Sequence, residues 1–158
     1  SRNGEFTCNL ALISDQLPVY GWVSVPVKNL LYHGGLGRGA MRLNRSSGDR
    51  VTIQCQPQTE STRVVASKSH LNAETATFIE QIEGAIELVQ AGSSLKFLTI
   101  AEGAADLYPR LATTCEWDTA AAHAVLEGAG GTVTQPGGTP LRYGKAEILN
   151  PHFIARAS

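Results

Sequence analysis

The sequence is poor in cysteine and has no long apolar run. Its 158 residues include three cysteines, Cys8, Cys55 and Cys115, whose spacing lacks the C-x-x-C pattern of zinc and redox sites. Such a set favours free thiols in a reducing cytosol over a disulfide framework. No apolar stretch reaches the roughly 20 residues of a membrane-spanning helix, and the first residues lack the apolar core of a signal peptide. The sequence therefore predicts a cytoplasmic protein that does not span a membrane.

An excess of charge of either sign is also lacking. Thirteen basic and 14 acidic residues give a formal net charge of −1, so the composition does not favour binding to a nucleic acid polymer or an anionic membrane. Apolar residues make up 42% of the chain and charged residues 17%, which is typical of a soluble globular protein. At this length the chain can bury one ordinary core, or one domain and part of another.

Alternation of apolar residues predicts strands in the first third of the chain. Residues 5–14 place Phe6, Cys8, Leu10 and Leu12 on one face, and residues 19–25 predict a second strand whose valines extend that face. Short strands at 30–33 and 40–43 flank a glycine turn. Because all these connections are short, the strands form an antiparallel meander.

A change of pattern predicts a domain boundary after the meander. Residues 46–61 are mostly polar and read as a linker between a unit at 1–45 and a domain at 62–158. Beyond the linker, strands and helices alternate, which predicts an α/β domain with helices packed on a mixed sheet. The predicted strands are 63–67, 86–89, 106–108, 132–134 and 153–156, and the predicted helices are 73–82, 94–101 and one that starts near Asp118.

The helix near Asp118 has a marked start and end. Asp118 or Thr119 is predicted as its N-cap, because a side-chain oxygen there can accept a free N–H of the first turn, and Gly130-Gly131 supplies a left-handed exit. The Asp118 carboxylate is either an ordinary cap or a magnesium ligand. His123 is predicted to be half-buried, paired with Glu127 and not catalytic. Trp117 is predicted to pack and fix the angle of this turn.

Two other stretches carry groups that suit a phosphate. Gly92-Ser93-Ser94 leads into a helix, and backbone N–H groups at such a start bind anions. The helix dipole disfavours a cation in the first turn, so Lys96 there makes better sense if a phosphate is bound. The alternative is an ordinary serine cap with Lys96 in solvent. Arg110 can bind a phosphate through two parallel hydrogen bonds or can form a salt bridge at a rim.

Ser67 and His70 come directly after a predicted strand. Ligands of open α/β sheets gather outside the carboxyl ends of strands, so both side chains are candidates for ligand binding. The alternative is an ordinary histidine on a surface loop.

Residues 117–131 resemble a signature of the inositol monophosphatase-like family, which comprises magnesium-dependent, lithium-sensitive phosphatases. The shared pattern is W-D-x-A-A-x-x-A-V-L-E-x-A-G-G. Three further stretches, R-N-G-E-F-T at 2–7, G-S-S-L-K-F at 92–97 and L-Y-P-R at 107–110, are similar to its branch of CysQ-type 3′(2′),5′-bisphosphate nucleotidases. The resemblance covers nearly the whole chain, although Ala122 stands where this branch usually has glycine. The acidic Glu-Glu pair and the D-P-x-D-G-T motif of the family are expected upstream of Arg2.

The resemblance implies a fold and an activity. The fold is α/β, an incomplete antiparallel meander followed by a layered α/β domain. The implied activity is that of a hydrolase of sulfur metabolism, which uses Mg²⁺ to remove the 3′-phosphate of 3′-phosphoadenosine 5′-phosphate. By resemblance, Asp118 holds a metal on the leaving-group side, and the substrate-binding residues are Ser67, His70, Ser93, Lys96 and Arg110.

Without the upstream carboxylates the catalytic set is incomplete, so this chain alone is expected to be inactive, with weak or no binding of Mg²⁺. The alternatives are a truncated remnant that acts as a nucleotide-binding or structural module, and a sugar phosphatase of the same family. An apolar sheet face and an unpaired strand edge also predict a homodimer, because such surfaces are rarely left in water. The alternative is a monomer in which another segment covers the sheet.

Overall fold

The computed structural model describes residues 6–57, 60–66 and 71–158 of the chain. Strands and helices follow one another over nearly all of this range. The strands form two five-stranded sheets and one two-stranded sheet within it. The elements are β1 (Cys8–Ser14), β2 (Leu17–Val25), a 3₁₀ turn (Pro26–Lys28), β3 (Leu30–Gly35), β4 (Gly39–Asn44), β5 (Arg50–Ile53), β6 (Thr62–Ala66), α1 (Ala73–Glu80), β7 (Ile86–Gln90), α2 (Leu95–Ala101), β8 (Leu107–Arg110), β9 (Thr114–Cys115), α3 (Glu116–Gly128), β10 (Thr132–Thr134), β11 (Leu149–Asn150) and β12 (Phe153–Arg156).

The first sheet is the predicted antiparallel meander, with strand order β1-β2-β3-β4-β5. Its fifth strand corrects the sequence analysis, since Arg50–Ile53 lies inside the predicted linker. The polar residues before β5 form a hairpin turn: Asn44 Oδ1 accepts the N–H of Ser46, and Gly48 has a positive φ of 81°. The polar residues before β5 therefore form a turn between two paired strands. The division into domains stays a prediction.

The second sheet is mixed, with strand order β10-β12-β8-β6-β7. Strand β6 runs parallel to β7 and β8, whereas β12 runs antiparallel to β8 and β10. Helices pack on this sheet, and α3 contacts both β2 of the meander and α2. The predicted fold class, an antiparallel meander followed by an α/β layer, is confirmed.

The buried face of the meander differs from the predicted one. Val23 and Val25 are fully buried in the same cluster as Val125 of α3. The register pairs Leu10 with Trp22 and Asn9 with Val23, so the valines and Leu10 lie on opposite faces of the sheet. The prediction that the valines extend the Leu10 face is wrong for Val23 and Val25, because β2 carries apolar residues on both faces and alternation alone does not reveal which face is buried. Val19 does line a pocket together with Leu12.

Helix α3 is capped three residues before Asp118, the first of the two predicted caps. Its N-cap is Cys115, and Asp118 is the third helical residue, whose Oδ2 accepts the Cys115 N–H at 2.8 Å in a capping box. The helix ends as predicted, with Gly130 at a φ of 93°, and the Gly131 N–H donates to Leu126 O at 2.9 Å. None of the helices in the described ranges is long and apolar enough to cross a membrane.

Candidate functional site

A polar cavity of about 580 Å³ lies where the start of β1, the turn before α2, the end of β8 and the start of α3 meet. It brings together Ser93, Lys96, Arg110 and Asp118, which come from three separate stretches of the sequence. The other two predicted site residues, Ser67 and His70, lie outside the described residues. The lining side chains are Phe6, Thr7, Asn9, Ser93, Ser94, Lys96, Phe97, Tyr108, Arg110, Thr113, Thr114, Asp118 and Thr119.

Lys96 is buried beside an aromatic wall of this cavity. Its side chain is 7% exposed, and Nζ lies 5.5 Å from the centroid of the Tyr108 ring. The alternative of a lysine in solvent is therefore wrong. Helix α2 begins at Leu95, and the hydroxyl of its N-cap, Ser94, makes no capping hydrogen bond. A cation on the wall of a polar cavity is suited to an anionic ligand.

Tyr108 presents a neutral phenol to the same cavity. Its pKa is raised to about 12: burial is the main cause, the Arg110 guanidinium lowers the pKa, and the nearby Asp118 carboxylate raises it. The phenol consequently keeps its proton near neutral pH and can donate a hydrogen bond to a ligand oxygen.

Arg110 is partly buried at the end of β8. Its Nε is buried and has no hydrogen-bond partner within the described part of the chain. The alternative interpretation, a salt bridge at the rim, has no counterpart among residues 6–57, 60–66 and 71–158. A buried donor without a partner costs free energy, and a bound phosphate group supplies acceptors for a guanidinium.

Asp118 acts as a cap and also faces the cavity. Oδ2 is engaged by the Cys115 N–H, as in the ordinary-cap alternative, while the residue is exposed and lines the cavity. Magnesium usually takes one or two carboxylates together with substrate phosphates, and Asp118 fits one such position through its second oxygen. The described residues contain no group of three or more His, Cys, Asp or Glu side chains that could hold a metal.

A buried hydrogen-bonded network supports the cavity wall formed by α3 and β9. His123 Nδ1 lies 2.8 Å from Tyr143 Oη, which donates to Thr119 Oγ1 at 3.1 Å. Asn150 Nδ2 donates to Thr119 Oγ1 at 3.0 Å and to Thr114 Oγ1 at 3.1 Å. These bonds fix two hydroxyl side chains that line the cavity. His123 itself is 1% exposed and does not line it.

The predicted pairing of His123 with Glu127 is present. Nε2 lies 3.2 Å from Glu127 Oε1 and makes no hydrogen bond within the described part of the chain. The expected half-burial is wrong, because α3 is covered on this side and the imidazole is fully enclosed. Trp117 also differs from its predicted packing role: its side chain is 61% exposed.

Glu116, the first residue of α3, ties the helix to the segment that follows Tyr143. Partial burial alone would raise the pKa of its carboxyl, but hydrogen bonds from the Lys145 ammonium and from the backbone N–H groups of Gly144 and Lys145 outweigh burial, and the pKa is lowered. A lowered pKa in the folded state means that the pairing contributes stability near neutral pH. That contribution is lost as the pH falls through the lowered pKa.

Several cavity-lining residues were not predicted as site residues. The sequence predicts Phe6 on a strand face, and it gives no signal of a binding role for Asn9, Thr113 or Thr114. Phe6, Thr7, Ser94, Phe97 and Tyr108 do belong to stretches that carry the family resemblance, which is the one signal in the sequence that indicates them. Short polar residues in loops have no periodicity, so pattern analysis does not detect them.

Comparisons with known proteins extend over the whole chain. The sequence model of the inositol monophosphatase family matches residues 1–157. The 3′(2′),5′-bisphosphate nucleotidase CysQ of Escherichia coli K12 is 43% identical over 153 residues, which are 96% of this chain and 60% of that protein. CysQ of Buchnera aphidicola is 35% identical over 159 residues, 99% of this chain and 58% of that protein. The chain thus spans about 60% of the length of these curated relatives.

Solved structures give the same result. The crystal structure of CysQ from Bacteroides thetaiotaomicron superimposes with a TM-score of 0.90 at 42% identity, covering 99% of this chain and 64% of that one. Inositol monophosphatase II from Staphylococcus aureus superimposes with a TM-score of 0.76 at 18% identity, over 96% of this chain and 55% of that one. The second match supports the fold alone.

Proposed function

Because the chain belongs to the inositol monophosphatase family, we propose that it forms the nucleotide-binding part of a magnesium-dependent 3′(2′),5′-bisphosphate nucleotidase. The proposed substrate is 3′-phosphoadenosine 5′-phosphate or its sulfated relative. The observation that carries the proposal is that Lys96, Arg110 and Asp118 line one cavity. Two cations and a carboxylate therefore face the same space. Two separate cations suit a ligand with two phosphate groups.

The chemistry assigned to each side chain follows from its position. Arg110 binds one phosphate through parallel hydrogen bonds, Lys96 balances charge as a compact cation, and the neutral Tyr108 phenol donates to a phosphate oxygen. Asp118 supplies one carboxylate ligand. Magnesium, when bound, polarises the phosphoryl group and lowers the pKa of a bound water. Ser93 also lines the cavity, and Ser67 and His70 stay proposed contacts outside the described residues.

We expect the 158-residue polypeptide to bind 3′-phosphoadenosine 5′-phosphate without measurable release of phosphate. Binding is expected because the cations are in place, and turnover is not, because Asp118 is the single carboxylate among the described residues that line the cavity. In titration calorimetry, Lys96→Met should weaken binding at least about 10-fold, since a charge-assisted contact is worth about 1.5–3 kcal/mol. The matched control is Lys28→Met, which removes an exposed lysine of the 3₁₀ turn.

Equal affinity of wild type and Lys96→Met would remove Lys96 from the site. Asparagine retains an oxygen that can accept the Cys115 N–H, so Asp118→Asn removes the charge and keeps the cap. If the wild type releases phosphate and Asp118→Asn does not, the metal site is completed in another way. A non-catalytic nucleotide-binding module is the second candidate function, and binding without turnover in every assembly of the chain would favour it. Preferential binding of inositol phosphate would favour the sugar phosphatase.

We also propose that the chain forms a homodimer through the outer face of the meander. Leu10 and Leu12 are 64% and 56% exposed there, and β1 pairs only with β2 in the described part of the chain. A second copy related by a two-fold axis covers this face and the β1 edge together, because both belong to the same strand.

Light scattering behind size exclusion should give a dimer mass for the wild type and a monomer mass for Leu12→Glu. The control Leu36→Glu changes an equally exposed leucine on the turn between β3 and β4 and should leave the dimer intact. A monomer mass for the wild type over a range of concentrations contradicts the homodimer.

A further inference from the structure

Phe6 stands out among the aromatic side chains of the cavity. Its side chain is 55% exposed, whereas Phe97 and Tyr108 are 2% and 6% exposed. Those two rings are part of the hydrophobic core. They pack edge to face with centroids 5.3 Å apart, and Phe97 also stacks on Phe153 at 5.6 Å. Among the described residues that line the cavity, Phe6 therefore offers the one exposed aromatic face.

The exposure of Phe6 is not a consequence of strand alternation. Strand β1 begins at Cys8, so Phe6 precedes the ladder and is not held on the outer face with Leu10. Instead it lines the cavity together with Asn9, whose ladder partner is the buried Val23. The backbone departs from the strand pattern here and places the ring at the cavity.

The neighbour of Phe6 fixes its place relative to the cations. Thr7 Oγ1 lies 3.4 Å from both Ser93 Oγ and Ser94 Oγ, in the turn before α2. Ser94 in turn donates to Asp118 O at 3.4 Å. Thr7 thus holds the segment that carries the Phe6 ring against the turn before α2, the helix that carries Lys96. The remainder of the lining is mostly hydroxyl, amide and charged groups.

We propose that Phe6 stacks on the purine base of the ligand and so makes the cavity select nucleotides over phosphates that lack a base. The inference rests on the proposed function and deepens it by assigning specificity to one residue. A base presents a flat π-face that hydroxyl and charged groups cannot cover well, and an exposed phenyl ring covers it with little loss of side-chain entropy. The phosphates then meet Lys96 and Arg110 in the polar part of the cavity.

Titration calorimetry with two ligands tests the assignment. The probes are 3′-phosphoadenosine 5′-phosphate and ribose 5-phosphate, which has a phosphate and no base. Phe6→Ala should weaken the nucleotide about 5- to 150-fold, as expected for the loss of one base–aromatic stack, and leave the sugar phosphate unchanged. Phe6→Trp should retain nucleotide affinity. Leu36→Ala, which removes an exposed apolar side chain far along the chain from the cavity-lining segments, should change neither affinity.

The outcomes separate this inference from the proposed function. Nucleotide binding by wild type with equal affinity in Phe6→Ala overturns the stacking role alone, as does equal weakening of both ligands. Binding of neither ligand by wild type overturns the proposed function and this inference with it. Selective loss of the nucleotide in Phe6→Ala, with rescue by Phe6→Trp, supports the role, because a merely structural residue would not distinguish the two ligands.

Discussion

Gly21→Ala is expected to lower the free energy of unfolding by about 3 kcal/mol or more, as overpacking at a rigid contact does. Gly21 lies in β2 where α3 crosses the meander, and a Cβ there would come within 2.1 Å of the carbonyl oxygen of Ala121. The obstacle is helix backbone and not a flexible side chain, so α3 must move away from the sheet. Chemical denaturation followed by circular dichroism measures the change.

The matched control is Gly137→Ala. A Cβ at Gly137 meets nothing within 4 Å, so the variant should unfold within about 0.5 kcal/mol of the wild type. Because α3 carries Asp118 and Thr119 at its start, Gly21→Ala should also weaken the proposed nucleotide binding. A denaturation midpoint equal to that of the control would contradict the close packing of α3 on β2.

Elements of this fold that carry a sequence pattern of their own could be predicted. The α3 segment combines small side chains with a glycine exit, and the strands at Thr132–Thr134 and Phe153–Arg156 agree with their predicted bounds. Two-residue strands such as β9 and β11 could not be predicted, because each is defined by its partner and not by any pattern of its own. Strand β5 was missed for a related reason: its polar flanks form a turn.

The start of α3 shows a different limit. Sequence rules place Ser, Thr, Asp or Asn at the N-cap, and Asp118 satisfies them. In the structure the same carboxylate reaches back to the Cys115 N–H from the third helical position, with a cysteine as the cap. The sequence thus indicates the capping role of Asp118 but not its position in the helix, since an aspartate can cap from the N-cap itself or from the third residue of a capping box.

The candidate site could be predicted in its charged members and not in its polar lining. Lys96, Arg110 and Asp118 were selected for their charge and by the family resemblance, and the fold brings all three to one cavity. Tyr143 and Asn150, which hold the wall from behind, lie 24 and 31 positions from Thr119. Contacts of that kind depend on the tertiary fold, so no local pattern reveals them.

The second large effect is expected at an ion pair between β6 and the residue that precedes the adjacent strand β8. Arg63 of β6 donates from Nε and Nη2 to the two oxygens of Asp106, at 3.0 and 2.8 Å, and both side chains are mostly buried. The Arg63 backbone N–H also donates to Asp106 Oδ2 at 2.8 Å. This bidentate pairing raises the pKa of the guanidinium, because the carboxylate favours its charged form.

Asp106→Asn is expected to lower the free energy of unfolding by about 3 kcal/mol, because it leaves a mostly buried guanidinium without its counter-charge. The amide retains one acceptor but turns an NH₂ group toward an arginine that has only donors. Glu74→Gln makes the same chemical change in the exposed pair with His152, whose atoms are 3.8 Å apart, and should cost less than about 1 kcal/mol. Urea denaturation of both variants at neutral pH compares them directly. Equal losses in the two variants would mean that the Arg63–Asp106 pair contributes no more than a surface ion pair, despite its burial.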